Sequence, residues 1–455
     1  MAKRAALILC ALSVAVLLVA HPAPAQQQGW FQTGTGLGVS KVRVAAPDIA
    51  ASADAAKLET TFHSVLWNDL EYSGILDMVS QSYYPLKVPS QPSDLNAPDQ
   101  QGKPSSQDWA SAPANTNMLA YGNMAVNGTG LAVSGFLSSV QSPGSAPAIQ
   151  KIYRDAATDA GARKLAHQFA DDIVSLLGGG LPGIAQTQIA YVSARGGNKE
   201  IWLMDYDGAN AHQLTNLKSI SLTPRWSPDA TKIAFTCYVP YRGVASAQVC
   251  IYSTASNHLI SFPRFPGTNG MPAWSPDGSE LAFMCSRSGD PQIYTSDASG
   301  GHLQRVTDTA GVSTSPVWNP KTGQQLVFVS DRGGAPVLYM SNADGSNVQR
   351  IDVGDKGYVI DPSWSPNGQL LAFSWRRPDG NYDIYVMDIV SHQLVQLTRD
   401  AGRNERPSWA PDGRHIVFES TRTGSDQVWS MLADGSMPHQ LTFQGVNSSP
   451  NWSPR

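Results

Sequence analysis

The sequence predicts a mainly β protein: a six-bladed β-propeller of WD40-like repeats, preceded by a small α/β domain. Three observations predict it. A phrase centred on Trp recurs six times at intervals of 43–48 residues: Trp226-Ser-Pro-Asp, Trp274-Ser-Pro-Asp-Gly, Trp318-Asn-Pro, Trp364-Ser-Pro-Asn-Gly, Trp409-Ala-Pro-Asp-Gly and Trp452-Ser-Pro. Each interval holds four short strand-like segments separated by turn residues. The two ends of the array are partial units that complete one another.

The elements follow in chain order. Lys3 and Arg4 precede an apolar run from Ala5 to Ala20, and Ala23-Pro24-Ala25 supplies small residues. Residues 1–25 therefore read as a secretory signal peptide, and the run is shorter than the roughly 18 residues that favour a membrane span. An exported, soluble protein is expected. The formal net charge of −4 over 455 residues gives no electrostatic footprint for nucleic acid. Three cysteines follow the signal, Cys237, Cys250 and Cys285. A Cys237–Cys250 bridge and a set of small buried strand residues both fit that number. His63, His167, His212 and His302 lack metal-ligand spacing, so neither a metal site nor a cofactor is expected.

Residues 26–186 lack the repeat and read as an α/β domain. Lys41-Val-Arg-Val44 alternates as a strand does. Asp54 is placed to cap a helix running to about Tyr72, with Leu58, Phe62, Val65, Leu66 and Leu70 on one stripe and Gly74 ending it. Residues 85–117, rich in Pro, Ser, Asn and Gln, read as a long loop. Met118–Tyr121, Leu131–Val133 and Ile152–Tyr153 read as short strands. A second helix is expected from about Ala160 to Leu177, stopped by Gly178-Gly-Gly180. Gly34-Thr-Gly36 and Gly128-Thr-Gly130 lack the Gly-Lys-Ser/Thr that a phosphate loop needs.

Residues 187–455 read as the propeller. After each Trp turn comes an apolar strand, such as Lys232-Ile-Ala-Phe235 or His415-Ile-Val-Phe418, then a polar hairpin and a strand such as Ile293-Tyr294. A turn bearing Asp-Gly follows, and a third strand ends in Leu214-Thr215, Val306-Thr307, Leu397-Thr398 or Leu441-Thr442. A fourth leads back to Trp. Such a four-stranded sheet cannot bury both faces alone and must stack on neighbours. The first unit starts at Gln188 without a preceding Trp phrase, and the last stops after Trp452-Ser-Pro. The C-terminal strand is therefore expected to pair beside Ile189–Ser193 and close the ring. The repeated Trp residues read as packing between blades rather than as a ligand platform. The Ser-x-Arg pairs (Ser193/Arg195, Ser330/Arg332, Ser420/Arg422) read as hairpin braces to carbonyls or carboxylates. Asp205–Gly208 reads as a turn, since the later ligands of a calcium loop are missing.

A further set of passages carries a resemblance: Asp108-Trp109 through Leu119, Arg163-Lys-Leu-Ala-His167 with Ala170-Asp-Asp-Ile173, Thr187-Gln-Ile-Ala-Tyr-Val-Ser193, and Ser261-Phe-Pro-Arg264 with Asn269-Gly270 before Pro272. With the array ending in Trp-Ser-Pro, the chain resembles the TolB family of the Tol–Pal system over nearly its whole mature length. The resemblance implies a periplasmic, monomeric protein near the outer membrane. By it, the lipoprotein Pal would bind at the channel mouth on one propeller face. The segment Gln26 through Gly38 would engage inner-membrane TolA, and bacteriocins would exploit the same system. It further implies a part in outer-membrane integrity and in constriction during cell division. The loops that lead into the Pro-x-Trp strands should ring that mouth, which selects Arg264, Asn269, Gly270, Met271, Thr314, Ser315, Asn404 and Glu405 as the Pal face. The hairpin carrying Arg332 is expected on the opposite face.

Two rival readings are a prolyl-peptidase-like enzyme and a sugar-binding propeller. The first requires a nucleophilic Ser in Gly-x-Ser-x-Gly, which the sequence does not contain, so a non-enzymatic protein is expected. The second has only generic Trp and Asp in its favour.

Overall fold

The computed structural model describes residues 41–95, 105–354 and 357–455. The signal peptide and the Gln26–Gly38 segment read from the sequence lie outside these residues.

The N-terminal domain is a mixed sheet with two long helices packed on it. Val42–Ala45 lies parallel to Leu76–Met78 and to the start of Met118–Asn127, which continues antiparallel into Gly130–Ser139 and Ile149–Ala156. The last three are full strands rather than the short ones expected, because only part of each buries an apolar face. The first long helix spans Ala56–Tyr72 and buries Phe62, Val65, Leu66 and Leu70. Asp54 does not cap it: Ala55 occupies that position, and Asp54 accepts from the Ser52 hydroxyl at 2.5 Å. The second long helix, Asp159–Leu177, is capped by Thr158, whose hydroxyl accepts from Gly161 N at 3.1 Å. The expected loop 85–117 holds two short helices, Pro92–Leu95 and Ser106–Ala110. The second forms because Ser105 and Asp108 make a reciprocal capping box, and it buries Trp109 completely.

The propeller comprises six four-stranded antiparallel sheets among the described residues. Numbered along the chain, blade one is completed by the C-terminus: Asn447–Trp452 pairs with Gln188–Ser193, setting Trp452 opposite Ile189 and Asn447 opposite Ser193. The first strands of the blades touch one another all the way round, so they form the inner wall of a closed ring. The second strands read as unbroken apolar runs because each is covered on both faces by neighbouring blades. Phe235, Phe283, Phe328, Phe373 and Phe418 are fully buried there, with Tyr191 taking the place in blade one. All six repeated Trp side chains are only 4–8 % exposed. Three reach across a blade boundary: Trp274 Nε1 donates to Arg225 O, Trp318 Nε1 to Ala273 O and Trp409 Nε1 to Ser363 O, at 3.1–3.3 Å. They are packing residues, as expected.

Every inner strand carries a register shift, and the residue before its Pro has a left-handed backbone: Thr223, Met271, Ser315, Asp361, Arg406 and Ser449, with φ of 49–54°. A bulge at the same place in each blade bends the inner wall and turns one side chain per blade out of the regular alternation. Blade two departs in one respect. Its central hairpin, Lys232–Tyr241 with Val244–Ser253, has ten-residue strands. A Cys237–Cys250 disulfide with Cα atoms 5.8 Å apart ties these strands, while Cys285 stays reduced and buried.

The α/β domain rests on the turns of blades one and six. Tyr72 donates to Ser430 Oγ at 2.7 Å, His415 Nε2 bonds the Tyr72 carbonyl at 2.9 Å, and Arg163 pairs with Asp207. Asp205–Gly208, read as a turn, is indeed one, and Asp207 within it is a docking point. One continuous apolar core runs from Phe62, Leu66 and Phe169 to Tyr191, Tyr206, Val417 and Trp452.

Candidate functional site: the mouth of the central channel

The loops entering the inner strands lie on the face opposite the α/β domain, and repeated polar clusters hold them. In five blades the strand after the central hairpin carries a buried polar residue: Glu200, Gln248, Gln292, Asp383 or Gln427. The Thr of the Leu-Thr pair donates to it in four blades, at 2.6–2.8 Å (Thr215–Glu200, Thr307–Gln292, Thr398–Asp383, Thr442–Gln427). The same hydroxyl accepts from a strand amide at 2.8–2.9 Å. That double use is the physical reason for a Thr at this place in the repeat. Blade four puts Val337 there, and its exit loop closes over Val353 and Val359 instead. Replacing Thr442 by Val would strand both partners in a dry site. We expect a stability loss of about 1–3 kcal/mol in denaturant titrations, against almost none for an exposed Thr such as Thr322.

The eight residues selected from the sequence fall into two groups. Arg264 is exposed and donates to the Pro240 carbonyl, clasping the long hairpin of blade two. Met271, Thr314 and Ser315 are partly exposed on the inner wall, and the Ser315 hydroxyl lies 3.4 Å from Met271 Sδ. Asn269 and Asn404, by contrast, are fully buried. The Asn269 amide donates to the Phe265 and Gly267 carbonyls, and that of Asn404 to Asp383 and Gly402. Both tie their own loops, because the first residue of an inner strand points back between blades. Gly270 is buried too, and a Cβ there would sit 2.6 Å from Thr236 Oγ1. These three shape the mouth and offer no surface to a partner.

Glu405 is 9 % exposed and anchors a charge cluster on the inner wall. Arg403 bridges Glu405 at 2.8 Å and Asp426 at 2.7 Å, and Arg406 pairs with Glu419 at 2.6 Å. The second carboxylate oxygen of Glu419 accepts from Ser449 N at 2.7 Å, across the blade-one boundary. Burial, reinforced by the charge of Glu419, raises the Glu405 pKa to about 7, with Arg403 pulling the other way.

The Arg332 hairpin is not on the far face. Asp331, beside it, accepts from Val312 N at 2.7 Å, which places the hairpin next to the loop entering blade four, on the mouth side. The expectation failed because both connections of this type lie at the same end of an antiparallel blade. The Ser-x-Arg hairpins use two kinds of partner: Arg195 donates to the Gln444 carbonyl at 3.1 Å, as expected, whereas the other two stack on rings. Arg332 stacks over Phe328 and Tyr339 at 5.3 and 4.7 Å, and Arg422 over Phe418 and Trp429 at 5.2 and 4.6 Å. Ring faces are their main partners, with the serine hydroxyl second.

The sequence reading missed the apolar part of this face. Ile220, Tyr238, Val244, Tyr358, Phe443 and Val446 are 37–72 % exposed, all in mouth-side loops or the raised hairpin of blade two. Their signal was an apolar residue inside a polar loop, which gains meaning only once the loops are gathered on one face.

The architecture is a closed six-bladed propeller with an α/β domain on one face and a channel mouth bearing exposed apolar side chains on the other. Residues 178–359 and 353–455 match the TolB beta propeller domain. The chain belongs to the TolB β-propeller family. It is 35% identical over 170 residues to a TolB homolog of Chlorobium chlorochromatii, and 44% identical over 79 residues to an uncharacterized protein of Agrobacterium fabrum. The matches cover 37% and 17% of this chain, and span 37% and 27% of those relatives' own lengths. The crystal structure of TolB from Acinetobacter baumannii superposes with a TM-score of 0.73 at 24% identity, covering 92% of this chain and 98% of that one, which shows a shared fold.

Proposed function

We propose that the chain is a periplasmic protein-binding component of the Tol–Pal system, with the channel mouth as its docking face for Pal. The observation that carries this reading is the gathering of exposed Ile220, Tyr238, Tyr358, Phe443 and Val446 around the mouth, opposite the α/β domain. Exposed aromatic and aliphatic side chains with Arg264 among them are residue types that protein interfaces favour. Arg264, Met271, Thr314, Ser315 and Glu405 belong to the proposed contact surface or its wall, while Asn269, Gly270 and Asn404 hold its shape. Engagement of TolA by the N-terminal segment, and exploitation by bacteriocins, extend the same reading.

The test is binding of the soluble domain of Pal by calorimetry. Met271→Glu and Phe443→Glu should each weaken binding tenfold or more, because a charge is forced into a desolvated contact. Lys321→Glu, on an exposed turn of the opposite face, should leave it unchanged. Equal losses from both faces would overturn the assignment. Arg332 cannot serve as the far-face control.

A further inference from the structure

The N-terminal domain gathers three metal-ligating side chains that lie apart in sequence. Glu59 and His63 stand one turn apart on the first long helix, and the Pro47-Asp48 loop closes over that face. One carboxylate oxygen each from Asp48 and Glu59, together with a ring nitrogen of His63, lie within 4.8 Å of one another. The third donor comes from a loop that only folding brings near, which spacing in the sequence does not reveal.

The arrangement is poorly satisfied as it stands. Nδ1 of His63 is sealed from solvent and makes no hydrogen bond, although Asp48 Oδ1 is 3.2 Å away. A buried nitrogen left unpaired is unfavourable. Two carboxyl groups and an imidazole thus converge on one point.

The surroundings suit a metal-bound histidine. Nε2 of His63 lies 3.0 Å from the side-chain amide of Gln81. The oxygen and nitrogen of such an amide are interchangeable in assignment. With the oxygen toward the ring it accepts Nε2–H, which leaves the Nδ1 lone pair for a cation and fixes the ring. Glu59 Oε1 accepts from Ile49 N at 3.1 Å, so the loop also orients that carboxylate.

We propose that Asp48, Glu59 and His63 form a binding site for a divalent transition-metal ion of the zinc class. One imidazole and two carboxylates suit zinc or manganese, whereas calcium takes oxygen donors alone. Zinc–ligand distances of about 2.0–2.2 Å require the three donors to close in by roughly 1 Å, within the reach of carboxylate rotamers. The bound ion would pin the loop after the first strand to the first helix.

The experiment is calorimetric titration of the purified, chelator-treated chain with zinc chloride, with manganese chloride in parallel. One equivalent of zinc is expected per chain. Asp48→Asn, Glu59→Gln and His63→Gln should each weaken binding tenfold or more, and Gln81→Ala by about tenfold through loss of ring orientation. His212→Gln and His258→Gln, at exposed turns of the propeller, should change nothing. The Asp48 side chain is 74% exposed, so its replacement keeps the test valid even where a helix variant fails to fold. Absence of stoichiometric zinc uptake by the wild type, or uptake that survives Asp48→Asn and His63→Gln, would overturn the site.

Discussion

Deleting residues 446–455 is expected to destabilise the protein more than any single substitution discussed here. The deletion removes the inner strand of blade one and uncovers the whole of Gln188–Ser193. It also removes Trp452, which is 4 % exposed, donates through Nε1 to Thr187 Oγ1 at 2.8 Å, and packs in the core shared with the α/β domain. The strand is joined to blade six as well, since Ser449 N bonds Glu419 and Trp452 N bonds Ser408 Oγ at 3.1 Å. Trp452→Ala alone should cost about 3–5 kcal/mol. The deletion should exceed that, leaving an open sheet edge that favours aggregation. Thermal and denaturant unfolding measure both, and a truncated chain that melts with the wild type would rule out closure through this strand.

The second large effect is expected at the buried contact between the domains. Asp69 on the first long helix accepts from Tyr206 of blade one at 2.5 Å and pairs with His167 Nδ1 at 2.7 Å, and all three side chains are buried. Asp69→Ala should cost about 3–5 kcal/mol, because it leaves His167 and Tyr206 facing a dry gap. The pair also predicts a pH dependence. Burial alone would lower the His167 pKa, but the hydrogen bond and charge of Asp69, with Asp207 behind it, raise it above 6.5 against the opposition of Arg163. A histidine whose folded pKa is raised contributes stability that is complete below its unfolded pKa and is lost as pH rises through the folded value. The wild type should therefore lose melting temperature as pH rises above about 6.5. His167→Gln should flatten that slope, and an unchanged slope in the variant would remove His167 as the cause.

How much of this was legible depended on how local each cause is. The Trp phrase and the apolar second strands recur because each blade solves the same packing problem, so the period, the blade count and the closing strand could be read directly. The Leu-Thr pair was visible as a strand end, but its work, a hydroxyl shared between a buried Gln or carboxylate and a backbone amide, was not. Asn269 and Asn404 were read as part of an exposed face, yet both side chains are fully buried. Inner strands carry a bulge, and simple alternation does not say which side chains turn inward. His167 is 98 positions from Asp69, and Asp48 reaches Glu59 and His63 only through a closed loop. No spacing rule connects such partners.

The sequence by itself determined the propeller, its six units and their closure, because periodic burial of Phe and Trp between like sheets is written into each repeat. Only the tertiary structure decided which face is open. The α/β domain covers the turns of blades one and six through Tyr72, Arg163 and a shared apolar core. That docking leaves the mouth-side loops uncovered, with Tyr358 and Phe443 exposed on them. The physical reason is range: a repeat specifies contacts with its neighbours, whereas the choice of face rests on single contacts between residues hundreds of positions apart.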